Sequence, residues 1–274
     1  MSAMSQLKHQ GNVISLEAVS GETALLSALN RLPSYLGKVQ GIFADQLGRT
    51  MRTMLDFAAS FTNSSRRLRR LDYARYRDTK VQVPQGLKTD MLSYVKVLGS
   101  ATETVTKVDR EVIEPLLAWL NSNLGRPEDL RSLTGGISVA GFKPINSEAV
   151  LKTIDACFST DGRQEAMVPY GQAIKRSADW DEIDKVSADI RRAFSPALHK
   201  NIQAKMGDLQ VTLDTLIIRL TKDPARYSPN AKVLKEIVDS AYQAAEAIEL
   251  YGILRHRYQE FEHSVEQIGK DLDK

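Results

Sequence analysis

The stretch LKTDMLSYVKVLGSATETVTKVDREV, Leu87 to Val112, decides the fold class. Its apolar residues Leu87, Met91, Tyr94, Leu98, Ala101, Val105, Val108 and Val112 advance by alternating steps of four and three. That alternation keeps one apolar side chain per turn on a single stripe, the period of a coiled-coil-like seam and not the two-residue period of a strand. Pro84 and Gly86 punctuate its start. Pro115 lacks the amide hydrogen that an interior turn uses, so the spacing predicts a kink or restart there, with continuation through Trp119 and Leu120 to a stop at Gly125.

Working outward, the same alternation recurs. Leu36, Val39, Phe43, Leu47, Met51, Met54, Ala58 and Phe61 outline a long helix, with a shorter one before Pro33. Leu198, Ile202, Met206, Leu209, Leu213, Leu216 and Leu220 define another, opened by Pro196 and closed by Asp223 and Pro224. From Asn230 a last seam runs through Leu234, Ile237, Ala241, Ala244, Ile248, Tyr251, Arg255, Tyr258, Glu262, Val265, Gly269 and Leu272, with a second stripe through Leu250, Leu254, Phe261, Val265 and Ile268. The apolar face thus drifts around that helix.

Between Gly125 and Ser195, glycines and prolines confine helices to short pieces, with Asn146 or Ser147 capping one and Asp179 with Glu182 opening another. The expected fold class is all-α: an elongated antiparallel bundle of about four long helices with coiled-coil-like seams and a central segment of short helices and loops. The segments are an arm over 1–20, a long-helix pair with a basic connector over 21–125, a short-helix and loop insertion over 126–195, and a long-helix hairpin over 196–274. They are read as one continuous helical domain.

Composition agrees with this class. The 274 residues include 42% hydrophobic, 7% aromatic and 26% charged residues and nine prolines, enough for a sizeable core built from helices. A single cysteine excludes an internal disulfide framework. No apolar run approaches the ~20 residues of a membrane span, and the first twenty residues lack the apolar core of a secretory signal, so the expectation is a soluble protein, cytoplasmic or otherwise intracellular.

The net charge of +3 creates no strong overall field, but Ser65–Lys80 concentrates seven basic against two acidic residues. Arg66, Arg67, Arg69, Arg70, Arg75, Arg77 and Lys80 are candidates for binding phosphate or an acidic partner, with Tyr73 and Tyr76 interleaved to stack on bases. On one continuous helix, Arg66, Arg70, Tyr73 and Arg77 share a face. The bland alternative is a solvated or partner-paired charged face, and acidic lipid headgroups would meet the same chemistry. Tyr251, Leu254, Arg255, Tyr258, Phe261, Val265 and Ile268 form the candidate interface with another chain, since polar members within a seam set register and oligomeric state.

Catalytic and metal chemistry have less support. Glu260 and His263 reproduce the spacing of a di-metal bundle ligand pair, but no second Glu-x-x-His occurs. Cys157 and His199 lack a nucleophile-elbow or protease signature, and Gly135 and Gly136 lack the Gly-Lys-Ser/Thr of a phosphate loop. No cofactor and no metal are expected. The reading is a non-enzymatic structural or scaffold-type protein that assembles through long helices, as a homo-oligomer or within a larger machine such as a virion or tail. A helical nucleic-acid-binding protein using Arg66–Lys80 is the alternative, and a membrane-surface remodelling dimer a further one.

Overall fold

The structure, a computed structural model, describes residues 22–124, 137, 141–159, 167–222 and 231–273, leaving aside the side chains of 22, 23, 42–60 and 231. It is all-α with a minor two-stranded ribbon. In chain order the elements are α1 (Glu22–Arg70), α2 (Tyr73–Tyr76), β1 (Lys80–Gln82), α3 (Met91–Val105), a π-helical turn (Val108–Ile113), α4 (Glu114–Leu124), α5 (Ser147–Asp155), β2 (Met167–Pro169), α6 (Tyr170–Ala173), α7 (Asp179–Ala193), α8 (Pro196–Lys222) and α9 (Ala231–Asp271). Asp223, Pro224 and Gly125 lie outside the described residues.

α9 organises the rest. Val233, Leu234, Ile237, Val238, Ala241, Ala244, Ala245, Ala247, Ile248 and Leu250 are all buried, as are most of the positions that follow to Ile268. Those positions cover a broad arc of the helix, while Lys232, Lys235 and Glu246 remain exposed on the rest, so α9 is deeply packed along a wide apolar face and not along one narrow stripe. The drifting stripe of the sequence has this cause.

Cross-links fix the helix directions. Tyr242 of α9 donates to the Ala28 carbonyl of α1, Tyr35 donates to Glu249 at 2.8 Å, Phe61 meets Phe261 at 6.3 Å, and Arg67 donates to the Gly269 carbonyl. Both numbers rise together, so α1 and α9 run parallel. Gly37 faces Gln210 and Gln40 faces Gly207, which sets α8 antiparallel to α1 and therefore to α9. The simple antiparallel expectation fails for the α1–α9 pair.

Two helix boundaries differ from the expected ones. α1 continues through Pro33. The proline removes one amide donor, but Leu29, Leu32, Leu36 and Val39 are buried in unbroken three-four steps across it. Burying each such side chain stabilises by ~1.5–3 kcal/mol, which together exceeds the ~3 kcal/mol penalty of an interior proline. In the deciding stretch, Met91 to Val112 is buried as expected, but the break precedes Pro115: the π-helical turn absorbs the register change and Pro115 falls in the first turn of α4, where a missing amide costs little. Leu87 lies outside α3, bridged to Phe158 beside the left-handed Gly86 (φ 78°).

The ribbon pairs β1 with β2 antiparallel, Val81 opposite Val168. Asn146 caps α5, its side chain accepting from the Ala149 amide at 2.9 Å. Asp179 opens α7 differently from the expected pairing with Glu182: buried, it accepts from the Arg176 amide at 3.0 Å and guanidinium at 2.9 Å.

Asp90 caps α3, accepting from the Ser93 amide at 2.8 Å, and pairs with Lys175 at 2.8 Å. Burial alone would raise its carboxyl, yet Lys175 and Ser93 outweigh it and hold the group below its ordinary value. Asp90→Ala is expected to cost about 1 kcal/mol in urea unfolding at neutral pH. Because the folded value is depressed, this contribution is present above the unfolded value near pH 4 and fades as pH falls through the folded one. The difference between the two proteins should narrow in acid; a gap that widens there would refute the assignment.

Candidate functional site

The C-terminal candidate interface is inside the chain. Tyr251, Leu254, Arg255, Tyr258, Phe261, Val265 and Ile268 are each at most 3% exposed, packed against helices of the same chain. The sequence expectation of a partner-facing surface is corrected at these positions: seam periodicity reports burial without saying whose helix provides it.

The polar members make internal ties. Arg255 donates from Nη1 to Nδ1 of His199 at 2.9 Å; a guanidinium only donates, so this contact requires the neutral imidazole. Burial pushes the Tyr251 hydroxyl up to about 12, against the pull of Arg255. One turn further, Arg191 of α7 reaches Glu262 at 3.2 Å and the Tyr258 hydroxyl at 3.3 Å, with its guanidinium 4.8 Å over the Phe61 ring. Tyr258 donates to the Ser187 carbonyl at 3.1 Å. Burial raises the Glu262 carboxyl despite Arg191. These ties join α1, α7 and α9.

The basic segment is divided by the fold. α1 ends at Arg70, Leu71 turns the chain, and Asp72 caps α2 by accepting from the Ala74 amide at 3.1 Å. The single helical face expected for Arg66, Arg70, Tyr73 and Arg77 is therefore broken after Arg70. Arg67 pairs with Asp273 and Arg69 with Asp181, both at 2.6 Å, clamping this elbow to the end of α9 and the start of α7. Tyr73 donates to the Ile174 carbonyl at 3.0 Å and packs on Tyr170; Tyr76 is half-buried beneath Arg75, whose guanidinium lies 5.3 Å from its ring centre. Neither ring is presented for stacking on a base. Arg66, Arg70, Arg75, Arg77 and Lys80 are exposed.

The sequence's remaining chemical candidates are accounted for locally. Among the described residues no group of three or more metal-ligating side chains converges. Glu260 is drawn to His256 at 3.4 Å and Arg257 at 3.3 Å, which together overcome burial and hold its carboxyl below its ordinary value, while His263 is exposed. Cys157 is buried, and burial raises its thiol; the groups acting on it are Thr89 and Lys88, not His199. Gly135 and Gly136 lie outside the described residues. A shallow groove of about 360 Å³ between α3 and α5 is lined by Lys96, Val97, Ser100, Thr104, Val150 and Thr153, with Lys96 drawn aside by Glu182 at 2.7 Å.

What the sequence did not reveal is the apolar row left outside. On α8, Val211 is 65% and Ile218 52% exposed, seven residues apart and in line with exposed Ala204. The inner row of leucines masks it; a second seven-residue series, offset from the first, is the signal that finds it. No helix among the described residues is long and apolar enough to cross a membrane. Comparison with protein-family models, with curated protein sequences and with solved structures finds no match to this chain.

Proposed function

We propose that the chain is a non-enzymatic structural component, a helical block that pairs with a second copy of itself along the outer face of α8. The observation that carries this reading is the Ala204, Val211, Ile218 series, a seven-residue apolar repeat facing water on a helix whose opposite face is already buried. Hydroxyls beside the row make no demand on solvent, since Thr215 and Thr221 each donate to the carbonyl four residues back, at 2.8 Å. An antiparallel pairing with Val211 opposite the partner's Ile218 sets Asp208 beside Lys222 but also brings the two Asp214 side chains together, so charge alone does not select the register.

Light scattering across micromolar concentrations tests the reading. The expected result is a dimer or larger species that V211K/I218K converts to a monomer with unchanged helical circular dichroism. A monomer at every concentration before mutation would remove the proposal.

A further inference from the structure

We infer that Arg66, Arg70, Arg75 and Arg77 form a docking surface for the phosphate backbone of a duplex nucleic acid, read without regard to base sequence. The inference concerns a different face from the α8 row and stands whether or not two copies pair there.

Four observations lead to it. First, these guanidiniums are exposed and, among the described residues, none of the four has a carboxylate within ion-pair distance, whereas their neighbours Arg67 and Arg69 are both paired. The elbow thus separates its arginines into two paired with carboxylates and four left exposed without one, Arg75 among them lying over the Tyr76 ring. Second, the clamp to Asp273 and Asp181, together with the Gln82 amide donating to Asp271 at 3.0 Å, fixes the backbone that carries the four. A surface already ordered loses less freedom on binding.

Third, the two tyrosines that would stack on bases are turned into the protein, Tyr73 by its bond to Ile174 and Tyr76 by packing on the core under Arg75. Phosphate contact remains and base contact does not, which favours a duplex over a single strand, whose recognition draws on stacking. Fourth, the apolar residues of the elbow face inward: Leu68 is buried and Leu71 packs on the core. No wedge is left to enter a bilayer. All four cations are arginines, whose planar forks match paired phosphate oxygens. Arg66 and Arg70 stand one turn apart on the outward face of α1.

The test is fluorescence anisotropy with two labelled duplexes of unrelated sequence, titrated with the full chain over a range of salt. Equal affinities are expected, with log K falling against log salt at a slope of about −3.6 for four phosphate contacts, and Arg70→Gln alone should reduce that slope by about 0.9. The variant R66Q/R70Q/R75Q/R77Q should lose binding while keeping its helical circular dichroism. The inference is overturned by a strong preference for one duplex, by a salt-insensitive affinity, or by the fourfold variant binding as well as the parent. It is equally overturned if the chain binds vesicles rich in anionic lipid, or polyglutamate, and neither duplex.

Discussion

Arg191→Met is expected to destabilise the protein by about 3 kcal/mol or more at neutral pH, the scale observed when one member of a buried ion pair is removed. Arg191 sits over Phe61 and holds Glu262, whose side chain is only 5% exposed, so the substitution leaves a carboxylate in an apolar interior beside the Tyr258 hydroxyl. The pH dependence gives a distinctive signature. The folded carboxyl of Glu262 already lies above its unfolded value because burial outweighs Arg191. A raised acid holds its proton more tightly in the folded state, so it detracts from stability above the folded value and the deficit is recovered as pH falls through it. Without Arg191 the value rises further, so the variant's deficit should be largest at neutral pH and should shrink on acidification. Adding Glu262→Gln to Arg191→Met should remove most of that pH dependence. Urea unfolding of the three proteins at two pH values measures it, and a loss below 1 kcal/mol at neutral pH would contradict the burial of the pair.

Phe261→Ala carries the other large expected effect, a loss of about 3–5 kcal/mol from the cavity and the lost transfer energy. Its ring is fully buried and meets Phe61 of α1, Tyr94 of α3 at 6.0 Å and Tyr258 of α9 at 6.2 Å, so one substitution loosens three helices at once. The position also separates an internal from an intermolecular role. An internal Phe261 lowers the unfolding midpoint by the same amount at every protein concentration, whereas a residue at a chain–chain contact gives a loss that grows with dilution. A concentration-dependent midpoint shift would return Phe261 to the outside.

Periodicity made the helical class legible, and local punctuation marked Pro196 at the start of α8 and Asn146 before α5, because these signals act within a few residues. The Met91–Val112 stripe was legible for the same reason. Pro33 misled because the burial that outweighs it comes from α8 and α9, far away in sequence. The parallel course of α1 and α9 leaves no local trace, since either direction buries the same stripe. At the candidate interface, Arg255 and Glu262 looked like surface residues within a seam; their partners His199 and Arg191 are 56 and 71 residues away, and no spacing rule links them. The basic segment was visible as composition, but its division into paired and exposed arginines depends on Asp181 and Asp273, which only the fold brings near.

The placement of α9 also governs when the protein can fold. α9 is the last of the described elements to leave the ribosome, and the earlier helices bury their apolar faces against it. Its ties to Ala28 and Tyr35 each span 214 residues of chain. Contacts of such separation close slowly, and during synthesis the apolar face of α1 is left without its main partner. The nascent chain therefore exposes the leucines and valines of α1 that α9 covers in the finished fold until α9 emerges.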